Sequence, residues 1–253
     1  MSPPVRPVES DGKLPEHADV VVIGGGIAGA ATAWELARAG VSVVLVEKGR
    51  IGAEQSSRNW GWCRQQNRDE RELPLAILAL RMWETLSTDL GGDTGFRRSG
   101  LLYASNDEKD LARWEAWGRM AAGYGVDSRI VGGGQIAAML PSAAKSWKGG
   151  VYSPTDGRAE PALVAPLMAE AAQKLGATIH QNCAAREIEF STGRVSGVVT
   201  EAGRIRCGAV LVAGGAWAGM LLRHHGIPLI QASIQSTSFA TRELPELTAG
   251  GRK

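Results

Sequence analysis

What this sequence has little of narrows it first. Only three of its 253 residues are cysteine, Cys63, Cys183 and Cys207. They are odd in number, far apart and in no CxxC pair or metal-ligand spacing, which argues against a disulfide scaffold and against a metal site. A reducing, cytoplasmic setting fits such usage. No run approaches the roughly 18 apolar residues of a membrane-spanning helix. The polar start, MSPPVRPVESDGKLPEHAD, lacks the apolar centre of a secretory signal, so residues 1–17 read as a flexible leader. Charge of one sign is scarce too: the formal net charge is +2, with Lys and Arg scattered among Asp and Glu, which leaves no electrostatic case for nucleic acid. With 44% hydrophobic and 21% charged residues, the chain is neither disordered nor fibrous.

Glycine is abundant, and its placement is informative. In DVVVIGGGIAGAATAWELARAGVSVVLVEKG, Val20–Ile23 is a β-branched run of the kind found in a parallel strand buried on both faces. Gly24, Gly26 and Gly29 follow in GxGxxG register, Ile27–Ala39 reads as a helix ended by Gly40, and Val41–Val46 is a second strand that stops at Glu47. Each part has a task. Gly24 permits the tight turn, Gly26 lets backbone approach a pyrophosphate, and Gly29 lets helix and strand pack closely. The helix start, with Ile27 and Ala28, offers free N–H groups and a positive dipole end to phosphates. Glu47, roughly 20 residues beyond the turn, suits the hydroxyls of an adenosine ribose and disfavours a 2′-phosphate. At this point the ligand is either NAD or FAD.

Further along, Lys48–Arg71 is too long for an ordinary connector and reads as a ligand loop. A helix from Pro74 and a strand in RRSGLLYAS follow, then a helix capped by Asn106 with Leu111, Trp114, Trp117 and Ala121 on one face. Gly132–Gly134 have no GK[ST] after them and so form a loop before a short helix, not a phosphate loop. The α/β pattern returns with a helix over Pro161–Leu175, which Pro166 should kink. RVSGVVTE and GRIRCG read as a hairpin around Gly203, and GAVLVA as a separate buried strand rejoining the first sheet. The expected fold is α/β: a Rossmann-like FAD/NAD(P)-binding domain, discontinuous in sequence (18–92 and 151–226), with a partial, mixed-sheet α+β substrate domain (93–150 and 227–253).

The glycine turn with Glu47, the loop GAEQSSRNWGWCRQQ, the stretch TDGRAEPALVAPLMAEAAQKLGA and GRVSGVVTEAGRIRCGAVLVAGGAWAG together resemble the FAD-dependent oxidoreductases of the D-amino-acid oxidase, glycine oxidase and sarcosine oxidase superfamily. The resemblance covers nearly all of Asp19–Leu222. It implies FAD as cofactor, with Gly24, Gly26, Ala28 and Gly29 at the pyrophosphate and Glu47 with Lys48 at the ribose. It places Ser56, Ser57, Arg58 and Asn59 towards the flavin, Ala185 beside adenine through its backbone, and Gly214, Gly215 and Trp217 at the end of the returning strand. The implied reaction is oxidation of the C–H bond next to an amine, in an amino acid or related amine, with the flavin doing the chemistry and no general base required of the protein.

Arg58 or Arg64 would oppose the negative charge of a substrate carboxylate or of reduced flavin, set against a surface salt bridge as the plainer assignment. Trp60 and Trp62 either shape an apolar pocket or anchor their loop. Cys63 is read as a small buried hydrophobe, not a reactive thiol, and His224 and His225 as a helix end. Family members continue past the point matching Lys253, so the chain resembles an amino-terminal portion of the fold. That raises an alternative, a non-catalytic remnant or a subunit whose unfinished sheet a partner chain covers. An NAD-dependent dehydrogenase leaves the SSRN loop unexplained.

Overall fold

The computed structural model describes residues 4–141, 143, 145–235 and 237. Its elements begin with β1 (His17–Ile23), α1 (Ile27–Arg38), β2 (Val43–Val46), β3 (Trp62–Cys63) and α2 (Leu73–Leu90). Next come β4 (Leu101–Ser105), α3 (Glu108–Ala122), β5 (Arg129–Gly132), α4 (Gly133–Met139), β6 (Gly149–Ser153) and β7 (Gly157–Arg158). The last are α5 (Pro161–Lys174), β8 (Thr178–His180), β9 (Ala185–Ser191), β10 (Arg194–Thr200), β11 (Gly203–Val212) and α6 (Ala218–His224).

Two compact units emerge among the described residues: 4–60, 90–94 and 160–237 form the first, 61–89 and 95–159 the second. The first holds a six-stranded sheet in the order β8-β2-β1-β11-β10-β9. β8, β2, β1 and β11 run parallel, and β10 and β9 extend the sheet antiparallel. Val21, Val22, Val43, Val44, Leu45 and Val46 are buried, as the uninterrupted apolar runs require of strands covered on both faces. α1 packs on α5, and both helices bury small residues, Ala30, Ala33 and Ala37 on one and Ala162, Ala165, Ala169 and Ala172 on the other. β11 joins β1 in register from Ala18↔Cys207 to Ile23↔Val212, which makes the domain discontinuous in sequence.

The second unit is built on a three-stranded antiparallel sheet, β4-β6-β5, against which α3 packs, with the short pair β3-β7 beside its own loops. Leu73 of α2, Ala121 of α3 and Val126 share a buried cluster.

Several expectations are corrected. Residues 4–16 are no loose leader: Val5 is buried, Arg6 N donates to Ala162 O at 3.1 Å, its guanidinium pairs with Glu170 at 2.9 Å, and the Asp11 carboxylate accepts from Ile179 N at 2.7 Å. Residues 61–89 and 151–159, expected in the nucleotide domain, belong to the second unit. Residues 227–235, expected in the substrate domain, belong to the first, where Gln231 Nε2 donates to Gly215 O at 2.9 Å. The remainder of that segment, residues 236 and 238–253, lies outside the described residues. Asp107, not Asn106, caps α3; Asn106 instead accepts from Lys148 N and donates to Ser146 O. GRIRCG and GAVLV are one strand, not two. The glycine triplet opens α4, whose N-cap is Gly132.

Candidate functional site

The glycine turn lies where β1, β2 and β11 end together. Gly24 has φ +108°, and a Cβ there would sit 2.5 Å from Ala213 O, so only glycine lets the turn lie against the end of β11. A Cβ on Gly29 would sit 1.9 Å from Gly24 O, which sets how closely α1 folds back on the strand. The buried Glu47 carboxylate closes the other side: Oε2 accepts from Gly25 N at 2.7 Å and Oε1 from Gly49 N at 2.8 Å. Each oxygen retains acceptor capacity beyond those bonds.

Ser56 reaches this turn from a distant loop. Its Oγ accepts from Ile27 N, the first amide of α1, at 2.9 Å, and lies 3.1 Å from where a Gly26 Cβ would be. A short 3-10 turn, Gln55–Ser57, holds it there, and Asn59 Nδ2 staples that turn by donating to Gln55 O and Ser56 O. Ser57 is buried and donates to Glu54 O at 3.3 Å, while Arg58 is exposed. On the opposite rim, the Lys48 ammonium lies 4.0 Å from the Trp217 ring centre and 2.8 Å from Glu54 Oε1.

These groups enclose a cavity of about 600 Å³. Among the residues singled out in the sequence, Gly24, Gly26, Ile27, Ala28, Glu47, Lys48, Ser56, Ala185, Gly214, Gly215 and Trp217 line it, as does His224, read only as a helix end. Gly29 stands behind the turn, and Ser57, Arg58 and Asn59 support the loop instead of lining the space. Gln55, Arg186, Met220 and Leu221, which no motif marks, also line it. Gln55 lies beside Ser56 in the EQSSRN loop, so its place in the loop is the signal for it. Met220 and Leu221 carried no signal, being ordinary apolar residues of α6.

Trp62 and Arg64 are in the second unit. Trp62, in β3, packs on Tyr103 with ring centres 5.8 Å apart, and the Arg64 guanidinium lies 6.0 Å from the Trp62 ring centre while donating to Gln66 O. The loop that follows is fastened by Asp156, fully buried, whose two carboxylate oxygens accept from Gln65 N at 2.9 Å and Gln66 N at 3.0 Å. Burial pushes this carboxyl above its ordinary range, against the two amide donors and the charges of Arg64 and Arg68. Neighbouring Cys63 is buried and free, and burial pushes its thiol up to about 12, so it is inert as a nucleophile at neutral pH. His225 caps α6 and its Nε2 accepts from Ile188 N at 3.1 Å. Among the described residues no group of three His, Cys, Asp or Glu side chains is placed to hold a metal, and no helix is long and apolar enough to cross a membrane.

The family described as FAD dependent oxidoreductase (DAO) matches residues 19–252. The chain is 30% identical over 227 residues to sarcosine dehydrogenase, mitochondrial, of Homo sapiens, covering 86% of this chain and 25% of that protein. It is 32% identical over 223 residues to glycine oxidase of Geobacillus kaustophilus (strain HTA426), covering 83% and 58%. The solved structure of L-amino acid deaminase from Proteus myxofaciens in complex with anthranilate superposes with a TM-score of 0.84 at 34% identity, covering 90% of this chain and 53% of that one. The chain thus spans between a quarter and about six tenths of these relatives. On the match over residues 19–252, the chain belongs to the FAD-dependent oxidoreductases of the DAO family.

Proposed function

We propose that the first unit holds the ADP part of FAD in the cavity between the glycine turn and the end of β11, and that the whole protein oxidises the C–H bond next to the nitrogen of an amino acid or related amine. One observation carries the cofactor assignment: Ser56 of the SSRN loop meets the first amide of α1, which brings the resemblance's most specific loop to the dinucleotide turn.

The residues fit the group. Backbone amides of the turn and of α1 would face the pyrophosphate, where no Cβ intrudes at Gly24 or Gly26. Ser56, already accepting from Ile27 N, keeps its O–H to donate to a phosphate oxygen. Glu47 would accept from the ribose hydroxyls, and its charge would repel a 2′-phosphate. Lys48, ion-paired with Glu54, lies on the rim, the Ala185 backbone borders the adenine side, and Gly214, Gly215 and Trp217 border the rest. Ser57, Arg58 and Asn59 shape the loop that presents Ser56. Bound there, FAD supplies the hydride acceptor for the amine's adjacent C–H bond.

In the second unit, Arg64 is the candidate to pair with a substrate carboxylate and Trp62 to bound its apolar side. The reaction is assigned to the whole protein because this chain spans 58% or less of the relatives compared, and a partner polypeptide completing it is the second form of the same proposal. Three buried free cysteines suit a reducing compartment such as the cytoplasm.

The test is the visible spectrum of the purified chain before and after adding FAD, with calorimetric titrations of FAD, ADP and NAD. Uptake of FAD with flavin absorbance, ADP binding, and NAD binding at least tenfold weaker than FAD are expected. A colourless protein that takes up no FAD refutes the assignment.

A further inference from the structure

The dinucleotide motif explains why Gly24, Gly26 and Glu47 are where they are in sequence, but not what holds Gly25, the residue between the first two glycines, in place. Gly25 is fixed from two sides: its N–H donates to Glu47 Oε2 at 2.7 Å, and its carbonyl accepts from Gly52 N at 2.9 Å. Ile51, 1% exposed, lies beneath it, its Cδ1 only 2.4 Å from where a Gly25 Cβ would be. The Ile51–Gly52 corner is therefore the floor of the turn.

That corner is set by the segment after β8. Glu47 N donates to His180 O, Cys183 N to Glu47 O and Asn182 N to Gly49 O, each at 2.8 to 2.9 Å, so residues 180–183 run alongside 47–49. At Ile51 the backbone register is lost and a side chain takes over: Gln181 Oε1 accepts from Ile51 N at 2.8 Å. The other end of the same amide, Nε2, donates to Val8 O of the amino-terminal segment at 2.7 Å, and Gln181 N donates to Ser10 Oγ at 3.0 Å. Val5 of that segment also sits 3.6 Å from where a Gly52 Cβ would be. A neutral primary amide accepts at one end and donates at the other; a carboxylate cannot donate and an ammonium cannot accept.

We infer that Gln181 is a positioning residue for the nucleotide site: it fixes the Ile51–Gly52 corner under Gly25 and couples the amino-terminal segment to that corner, without itself lining the cavity. This rests on the dinucleotide reading of the first unit. It places a determinant of cofactor affinity outside the glycine motif.

The test uses the full chain, with ADP as titrant in calorimetry and with melting temperatures measured alongside. Gln181→Met loses both amide bonds. Gln181→Glu keeps the acceptor for Ile51 N and loses the donor to Val8. Both variants should melt lower than wild type. ADP affinity should fall about tenfold in Gln181→Met, the order of one hydrogen bond lost from the floor of the turn, and stay within about twofold in Gln181→Glu. Amide exchange at Ile51 should be faster than wild type in the first and close to it in the second. Wild-type affinity in Gln181→Met, or equal losses in both variants tracking their melting temperatures, overturns the inference and leaves the cofactor site standing. A wild-type chain that binds no ADP removes the dinucleotide reading and this inference with it.

Discussion

At the scale of single residues, one methyl group tests the turn. Gly29→Ala would put a Cβ 1.9 Å from Gly24 O, a backbone atom that cannot swing aside, so α1 must move off β1 and carry its first amides away from any phosphate. The expected outcome is at least a tenfold loss of ADP affinity and roughly 1–3 kcal/mol of stability, the usual cost of overpacking. Gly134→Ala is the matched control. Nothing lies within 4 Å of its added Cβ, and it stands in α4, where alanine is favoured over glycine by about 0.5–1 kcal/mol. Affinity unchanged in Gly29→Ala would show that close helix–strand packing is not what glycine supplies there.

At the scale of elements, α5 shows how one segment repairs another. Pro166 lies inside the helix and has no N–H to give to Ala162 O, four residues back. Arg6 N donates to that carbonyl instead, and the Arg6 side chain returns along the helix to Glu170. Arg6→Ala removes only a partly exposed ion pair and should cost no more than about 1 kcal/mol. Arg6→Pro removes the amide as well, at a position that already precedes Pro7 and favours extended backbone. It should cost about 1–3 kcal/mol more, read from urea midpoints; equal costs would mean the Ala162 carbonyl does not depend on Arg6.

The same region marks the limit of what the sequence made legible. β1, α1, β2 and α5 were readable because period, glycine stops and proline starts are local signals. The role of residues 4–16 was not, because a polar, proline-containing stretch looks loose until the carbonyls it serves are known. β11 read as two elements for a physical reason: residues 203–206 pair antiparallel with β10 and alternate, while 206–212 pair parallel with β1 and form an apolar run. β9, with its charged alternation in AREIEFS, gave no apolar run to find. Likewise Gly24, Gly26 and Glu47 announced themselves by spacing, whereas Asp156 and Gln181 act on backbone amides far away in sequence and carry no motif.

At the scale of the whole molecule, stability should depend on pH through His180. Its side chain is 4% exposed and Nε2 has no hydrogen-bond partner among the described residues. Burial lowers its pKa below the ordinary 6.5, outweighing the opposing influence of Asp11. The sign follows from proton binding: below about pH 6.5 the unfolded chain takes up a proton that the folded protein resists, so acid favours unfolding. The neutral imidazole is tolerated fully above that pH, and stability falls as pH drops from about 6.5 towards the depressed folded value. Because the His180 carbonyl accepts from Glu47 N and Gln181 follows it directly, loss of β8 at low pH should release the nucleotide site together with the sheet edge. Urea unfolding between pH 7.5 and 5 should therefore show a declining midpoint in wild type and a flatter profile in His180→Leu, with ADP affinity following the same curve. A His180→Leu profile as steep as wild type would assign the acid sensitivity to carboxylates elsewhere in the chain.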